Sequence, residues 1–134
     1  MGYWKDRKVL VTGATGLMGS WLTAKLLKEG ALVTAIVRDS APASELNLSG
    51  NIKKISTVNG DITDYQVMLR AFNEYEIQNC FHLAAQTIVG TASRSPISTF
   101  EANIKGTWTV LEAARNSKLN PHIVVASSDK ATTI

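Results

Sequence analysis

Val11-Thr12-Gly13-Ala14-Thr15-Gly16-Leu17-Met18-Gly19 is the stretch on which the reading of this chain turns. It begins in a β-branched apolar run, Val9-Leu10-Val11, and passes into residues 20–29, where helix-forming side chains dominate. Three glycines at a G-x-x-G-x-x-G spacing therefore join a strand to a helix. Gly13 permits a tight turn, Gly16 lets backbone approach a pyrophosphate, and Gly19 lets the helix lie close on the strand. The first helical turn offers N–H groups and partial positive charge to phosphates. Gly13, Thr15, Gly16, Leu17, Met18 and Gly19 are thus candidate contacts to a dinucleotide, with a merely structural turn as the alternative.

Outward from this junction, short apolar runs alternate with amphipathic stretches. Met18, Leu22 and Leu26 fall on one helix face at i, i+4 and i+8, and Gly30 suits a left-handed cap. The run 32–37 reads as a second strand, 38–51 as a loop, and 52–58 as a third strand. Asp64 can cap a helix whose Met68 and Phe72 share a face. The segment 80–83 reads as a fourth strand. Pro96 suits the first turn of a helix over 97–117, with Phe100, Ile104, Trp108 and Leu111 packing on one side and Asn103, Thr107 and Val110 on another. Pro121 then opens a fifth strand over 122–126. Apolar strands separated by helices predict an α/β fold with a doubly wound parallel sheet, and right-handed crossovers favour the strand order 3-2-1-4-5.

Composition narrows the function. The chain has 134 residues, 45% of them apolar and 19% charged, which are values of a globular domain rather than a disordered segment. The formal net charge is +3, and the densest basic cluster, Lys5, Arg7 and Lys8, is interrupted by Asp6. Neither a basic stripe nor interleaved stacking aromatics is present, so nucleic acid is not an expected partner and a solvated N-terminal arm is. The single cysteine, Cys80, cannot close an intrachain disulfide, and with two dispersed histidines it makes a structural metal site implausible. No apolar run approaches the ~20 residues that span a bilayer, and Gly2 lacks the Ser or Thr at position 6 that myristoylation wants. A cytoplasmic domain without membrane attachment is expected.

Further candidate contacts follow the other strands. Arg38-Asp39 ends the second, where an adenosine ribose would arrive. A carboxylate there bonds the ribose hydroxyls of NAD, an arginine pairs with the 2′-phosphate of NADP, and arginine coming first tilts the expectation slightly to NADP. Asp61 can accept from an adenine amino group with Ile62 packing on the ring, or simply stabilise a turn. Leu83, Ala84, Ala85 and Gln86 follow the fourth strand with small side chains that leave room for backbone along a cofactor. His82 reads as a strand residue satisfied by its neighbours.

Taken together, Thr12 to Gly19, Gly60-Asp61-Ile62-Thr63-Asp64, Phe81-His82-Leu83-Ala84-Ala85-Gln86, Asn103-Ile104-Lys105-Gly106-Thr107 and Val124-Val125-Ala126-Ser127-Ser128-Asp129-Lys130-Ala131 occur in order. The set resembles the extended short-chain dehydrogenase/reductases, the NAD(P)-dependent nucleotide-sugar epimerases and dehydratases, over about residues 8–131. The resemblance implies a Rossmann-like fold across 1–134 as a partial NAD(P)-binding domain. It places Asn103 on a helix facing the active site and Ala84 and Ala85 along the nicotinamide ribose. Ser128 matches the residue that hydrogen-bonds the reacting sugar hydroxyl. Asp129 and Lys130 look like the acid/base pair of 4,6-dehydratases, although a strand end with a solvated lysine would read the same.

The departures are as informative. Tyr3, Tyr65 and Tyr75 are followed four residues on by Arg7, Leu69 and Asn79, so the family's Tyr-x-x-x-Lys pair is absent from these residues. The expectation is a chain truncated after the fifth strand that does not turn over alone and meets a nucleotide-sugar only when a C-terminal part is supplied. Its fifth-strand edge is expected to favour self-association. The rival is a non-catalytic dinucleotide-binding or protein-interaction module.

Overall fold

A computed structural model describes residues 2–14, 17–37, 50–83 and 104–126, with Leu17, Asn51 and Ile52 as backbone alone. Among the described residues the elements in chain order are β1 (Lys8–Thr12), α1 (Leu17–Lys28), β2 (Leu32–Val37), a 3-10 turn (Asn51–Lys54), β3 (Ser56–Asn59), α2 (Tyr65–Glu74), β4 (Asn79–His82), α3 (Gly106–Asn116) and β5 (His122–Val125). The strands form one parallel sheet in the order β3-β2-β1-β4-β5. This is the Rossmann-like doubly wound sheet that the alternation of strands and helices predicts.

The continuous apolar run of β1 has a direct cause. Val9 and Val11 face one core with Leu26 of α1 and Val33 and Ala35 of β2. Leu10 faces the other, with Met68 and Phe72 of α2 and Val110 and Ala113 of α3. Val9, Leu10 and Val11 are fully buried, so none of these three positions can be polar for solvent's sake, and only Lys8 at the start of the strand reaches the surface. Helix ends follow their sequence signals. Gly30 has φ 87°, and the N–H groups of Ala31 and Gly30 donate to the carbonyls of Leu26 and Leu27 at 3.0 and 3.1 Å. That pair of bonds closes the end of α1 as a left-handed glycine cap does. The Asp64 carboxylate accepts from the Val67 N–H at the start of α2.

Several expectations need correction. The third strand is shorter and later than 52–58, because Asn51–Lys54 is a 3-10 turn and pairing with β2 begins at Ser56. The fourth runs Asn79–His82, one residue earlier than expected. Met18 is not a packing residue; it is exposed, while Leu26 is buried. The large apolar side chains of α3 also face outward: Ile104, Trp108 and Leu111 are exposed, and the packed face is Gly106, Thr109, Val110, Ala113 and Ala114. Small residues let α3 approach α2 and the sheet closely, which a face of Trp and Leu would prevent. Phe100 lies outside the described residues. The N-terminal arm is not simply solvated. Arg7 donates from Nε to the Asn79 carboxamide oxygen at 2.7 Å and lies 4.3 Å over the Tyr3 ring, and Lys8 pairs with Glu76 at 3.1 Å. Trp4 packs on Phe81 of β4 with ring centroids 5.7 Å apart.

Candidate functional site

The site begins where β1 gives way to α1. Gly13 has φ 77°, a left-handed backbone that side chains disfavour, so the turn out of β1 depends on this glycine. A Cβ on Gly19 would stand 1.9 Å from the carbonyl oxygen of Gly13 and 2.9 Å from the Cα of Ala14. Only glycine lets the first turn of α1 fold back onto the loop so tightly. Ser20 fixes the same approach by donating its hydroxyl to the Ala14 carbonyl at 2.8 Å. The first turn of α1 carries no acidic residue, so its positive end is not neutralised by its own side chains. Leu17, Met18 and Gly19 open this helix at the carboxyl end of the sheet; Thr15 and Gly16 lie outside the described residues.

At the neighbouring end of β3, the Gly60 N–H extends the sheet by donating to the Val37 carbonyl at 3.1 Å. Asp61 Oδ1 accepts from both the N–H and the hydroxyl of Thr63, each at 2.9 Å. Here the carboxylate stabilises its own turn, as the sequence allowed. The Ile62 side chain reaches toward α3, where its Cδ1 would lie 2.5 Å from a Cβ on Gly106. Gly106 thereby seats Ile62 and sets the spacing between the β3 end and the α3 start.

The end of β4 holds an arrangement the sequence did not disclose. His82 is 3% exposed, with Nδ1 2.7 Å from the Thr12 hydroxyl and Nε2 3.0 Å from the Thr107 hydroxyl. The Leu83 N–H donates to the carbonyl and hydroxyl oxygens of Thr12 at 3.1 and 3.0 Å. Burial lowers the His82 pKa from its ordinary value, and on the same strand it pushes the Cys80 thiol up to about 12. Both groups are therefore neutral near pH 7. His82 is a strand residue satisfied by neighbours, but those neighbours, from β1 and α3, are set by topology and not by spacing.

Gly13, Leu17, Met18, Gly19, Asp61, Ile62 and Leu83 thus come together at the carboxyl ends of the parallel strands, where ligands of such sheets bind. Arg38, Asp39, Ala84, Ala85, Gln86, Asn103, Ser128, Asp129 and Lys130 lie outside the described residues. A groove of about 380 Å³ lined by Lys8, Leu32, Lys53, Lys54 and Tyr75 opens at the opposite, amino ends, away from the glycine junction. Among the described residues no group of three or more His, Cys, Asp or Glu side chains is placed to hold a metal.

Comparison with known proteins agrees with this geometry. The sequence model of the GDP-mannose 4,6 dehydratase family matches residues 10–131. The chain belongs to that family. It is 31% identical to CDP-glucose 4,6-dehydratase of Salmonella typhimurium over 129 residues, covering 96% of this chain and 36% of that protein. Identity to CDP-paratose 2-epimerase of Salmonella typhi is 32% over 127 residues, covering 92% and 37%. Among solved structures, Pen from Bacillus thuringiensis superposes with a TM-score of 0.82 at 29% identity, over 98% of this chain and 40% of that one. UDP-glucose-4-epimerase of Stenotrophomonas maltophila, solved with bound NAD and formylated UDP-arabinopyranose, does so with a TM-score of 0.80 at 29% identity, over 92% and 38%. This member of the GDP-mannose 4,6 dehydratase family therefore spans well under half the length of the relatives it matches.

Proposed function

We propose that residues 1–134 are the NAD(P)-binding domain portion of a nucleotide-sugar epimerase or 4,6-dehydratase. The observation that carries this reading is the cradle at the β1–α1 junction, where a Cβ on Gly19 would strike the Gly13 carbonyl. That closeness aims the unneutralised first turn of α1 at an anion seated beside the loop. Gly13, Gly16 and Gly19, with Thr15, Leu17 and Met18, would hold the pyrophosphate. Asp61 and Ile62 would meet the adenine, and Leu83 to Gln86 with Asn103 the nicotinamide ribose. Arg38, beside Asp39, supports a slight preference for NADP. A bound nicotinamide dinucleotide would supply the hydride acceptor for oxidation of a sugar carbon.

Ser128 would orient the reacting hydroxyl, with Asp129 and Lys130 handling protons. No tyrosine in these residues is followed by lysine four positions on, so the base of the parent chemistry is not among them. The nucleotide-sugar partner and turnover accordingly belong to the chain together with the further length its relatives have. A cytoplasmic location fits the buried lone thiol, and no helix among the described residues is long and apolar enough to cross a membrane.

The test is ligand protection. NAD or NADP should raise the melting temperature, since a ligand at about 100 times its dissociation constant stabilises by ~2.7 kcal/mol. Gly16→Val should abolish the effect, and Arg38→Ala should weaken NADP more than NAD. No shift with saturating amounts of either cofactor would remove the reading.

A further inference from the structure

The His82 cluster joins three segments that the dinucleotide reading treats as separate walls of one groove. Thr12 immediately precedes Gly13, His82 immediately precedes Leu83, and Thr107 stands in the first turn of α3. The ring bridges the first and third of these through its two nitrogens, at 2.7 and 3.0 Å, and its own strand supplies the second. Thr12 and His82 are also register partners in the sheet. A neutral imidazole carries one N–H and one lone pair in a rigid plane, so one nitrogen donates to a hydroxyl and the other accepts from one. No flexible side chain of similar size offers two such points at a fixed separation.

We propose that His82 is a positioning residue: its ring is a strut that holds the mouth of the glycine loop at a set distance from the start of α3, so that the dinucleotide groove is formed before ligand arrives. The inference rests on the dinucleotide reading above for its purpose but not for its geometry. The strut is largely buried. His82 is 3% exposed and Thr12 fully buried, so losing one hydroxyl leaves a ring nitrogen that water cannot readily satisfy. Thr107 is the end to perturb, because it is only partly buried and its methyl group need not change.

The experiment compares Thr107→Val, which removes the hydroxyl, with Thr107→Ser, which keeps it. Amide hydrogen exchange in the ligand-free chain should be faster by about tenfold at Leu83 and residues 12–14 in Thr107→Val, and near the unmodified rate in Thr107→Ser. Calorimetric titration should show NAD or NADP affinity falling by a similar factor, about tenfold, in the valine variant alone. Nitrogen NMR of the unmodified chain at pH 7 needs no variant: a single His82 tautomer with a slowly exchanging ring N–H is expected. Mixed tautomers or a rapidly exchanging N–H would overturn the strut, as would exchange and affinity in Thr107→Val within twofold of the unmodified chain. Equal damage in Thr107→Ser would do the same, by showing that bulk rather than the hydroxyl matters. Absence of dinucleotide binding by the unmodified chain would instead sink the proposed function, and the exchange and NMR results would still decide whether the strut exists.

Discussion

Burial acts in opposite directions on two groups two positions apart in β4. It raises the Cys80 thiol to about 12 and lowers the His82 imidazole, because in each case the charged form is the one that loses water. For His82 this links stability to pH. As pH falls below the ordinary imidazole value of 6.5, the unfolded chain takes up a proton that the folded chain refuses. The stability this group contributes is full above that value and is lost as pH falls toward the lower folded-state pKa. Stability, and with it the melting temperature, should therefore be level from neutrality to about pH 8 and decline in the interval below about pH 6.5, this residue contributing at most ~1.4 kcal/mol per pH unit. His82→Asn should melt lower throughout but lose that segment of the slope. A melting temperature of the unmodified chain that does not change across the interval would contradict the assignment. Sequence showed only a histidine in an apolar run; its partners lie 70 and 25 residues away and become neighbours through the crossover connections alone.

Two glycines, each near the start of a helix, should respond very differently to the same added methyl group. Exchanging glycine for alanine within a helix gains about 1 kcal/mol of propensity. At Gly19 the new Cβ would meet backbone, the Gly13 carbonyl at 1.9 Å, so either α1 or the loop must move. Overpacking typically costs about 1–3 kcal/mol, and a rigid backbone partner puts this site at the upper end, well above the propensity gain. At Gly106 the Cβ would meet the tip of Ile62, with Cδ1 at 2.5 Å and Cγ1 at 3.1 Å, and a side-chain end can rotate away. Denaturant unfolding should find Gly19→Ala strongly destabilised and Gly106→Ala within roughly 1 kcal/mol of the unmodified chain. Equal losses would mean that the loop yields as easily as a side chain. Glycine spacing made the first contact legible, since a strand–glycine–helix junction has few other solutions. The packed face of α3 was not legible. Ile104, Trp108 and Leu111 carry the stronger apolar signal, yet the helix presents Gly106, Val110, Ala113 and Ala114 inward because closeness, not side-chain size, sets that contact.

The order of the whole sheet followed from the alternation of buried-type strands with helices, because right-handed crossovers leave few ways to wind such a chain. What surrounds the sheet did not follow, because it depends on which surfaces find a neighbour. Among the described residues β5 pairs only with β4, and its Val124 and Val125 are 54% and 40% exposed. Those valines are exposed where the corresponding positions of β1 are fully buried. Among the described residues one side of the β5 backbone is unpaired, an edge that can template another strand where no further segment covers it, and no lysine on β5 opposes such pairing. Residues 1–134 should therefore self-associate through β5. Sedimentation or light scattering should give a mass that rises with concentration. Replacing both valines, Val124→Lys with Val125→Lys, should return it toward the monomer, because two like charges on each copy would face each other across the new contact. A cooperative high-temperature unfolding transition with a monomer mass across a wide concentration range would overturn this. It would mean that β4 and α3 supply enough contact to stabilise an open edge strand on their own.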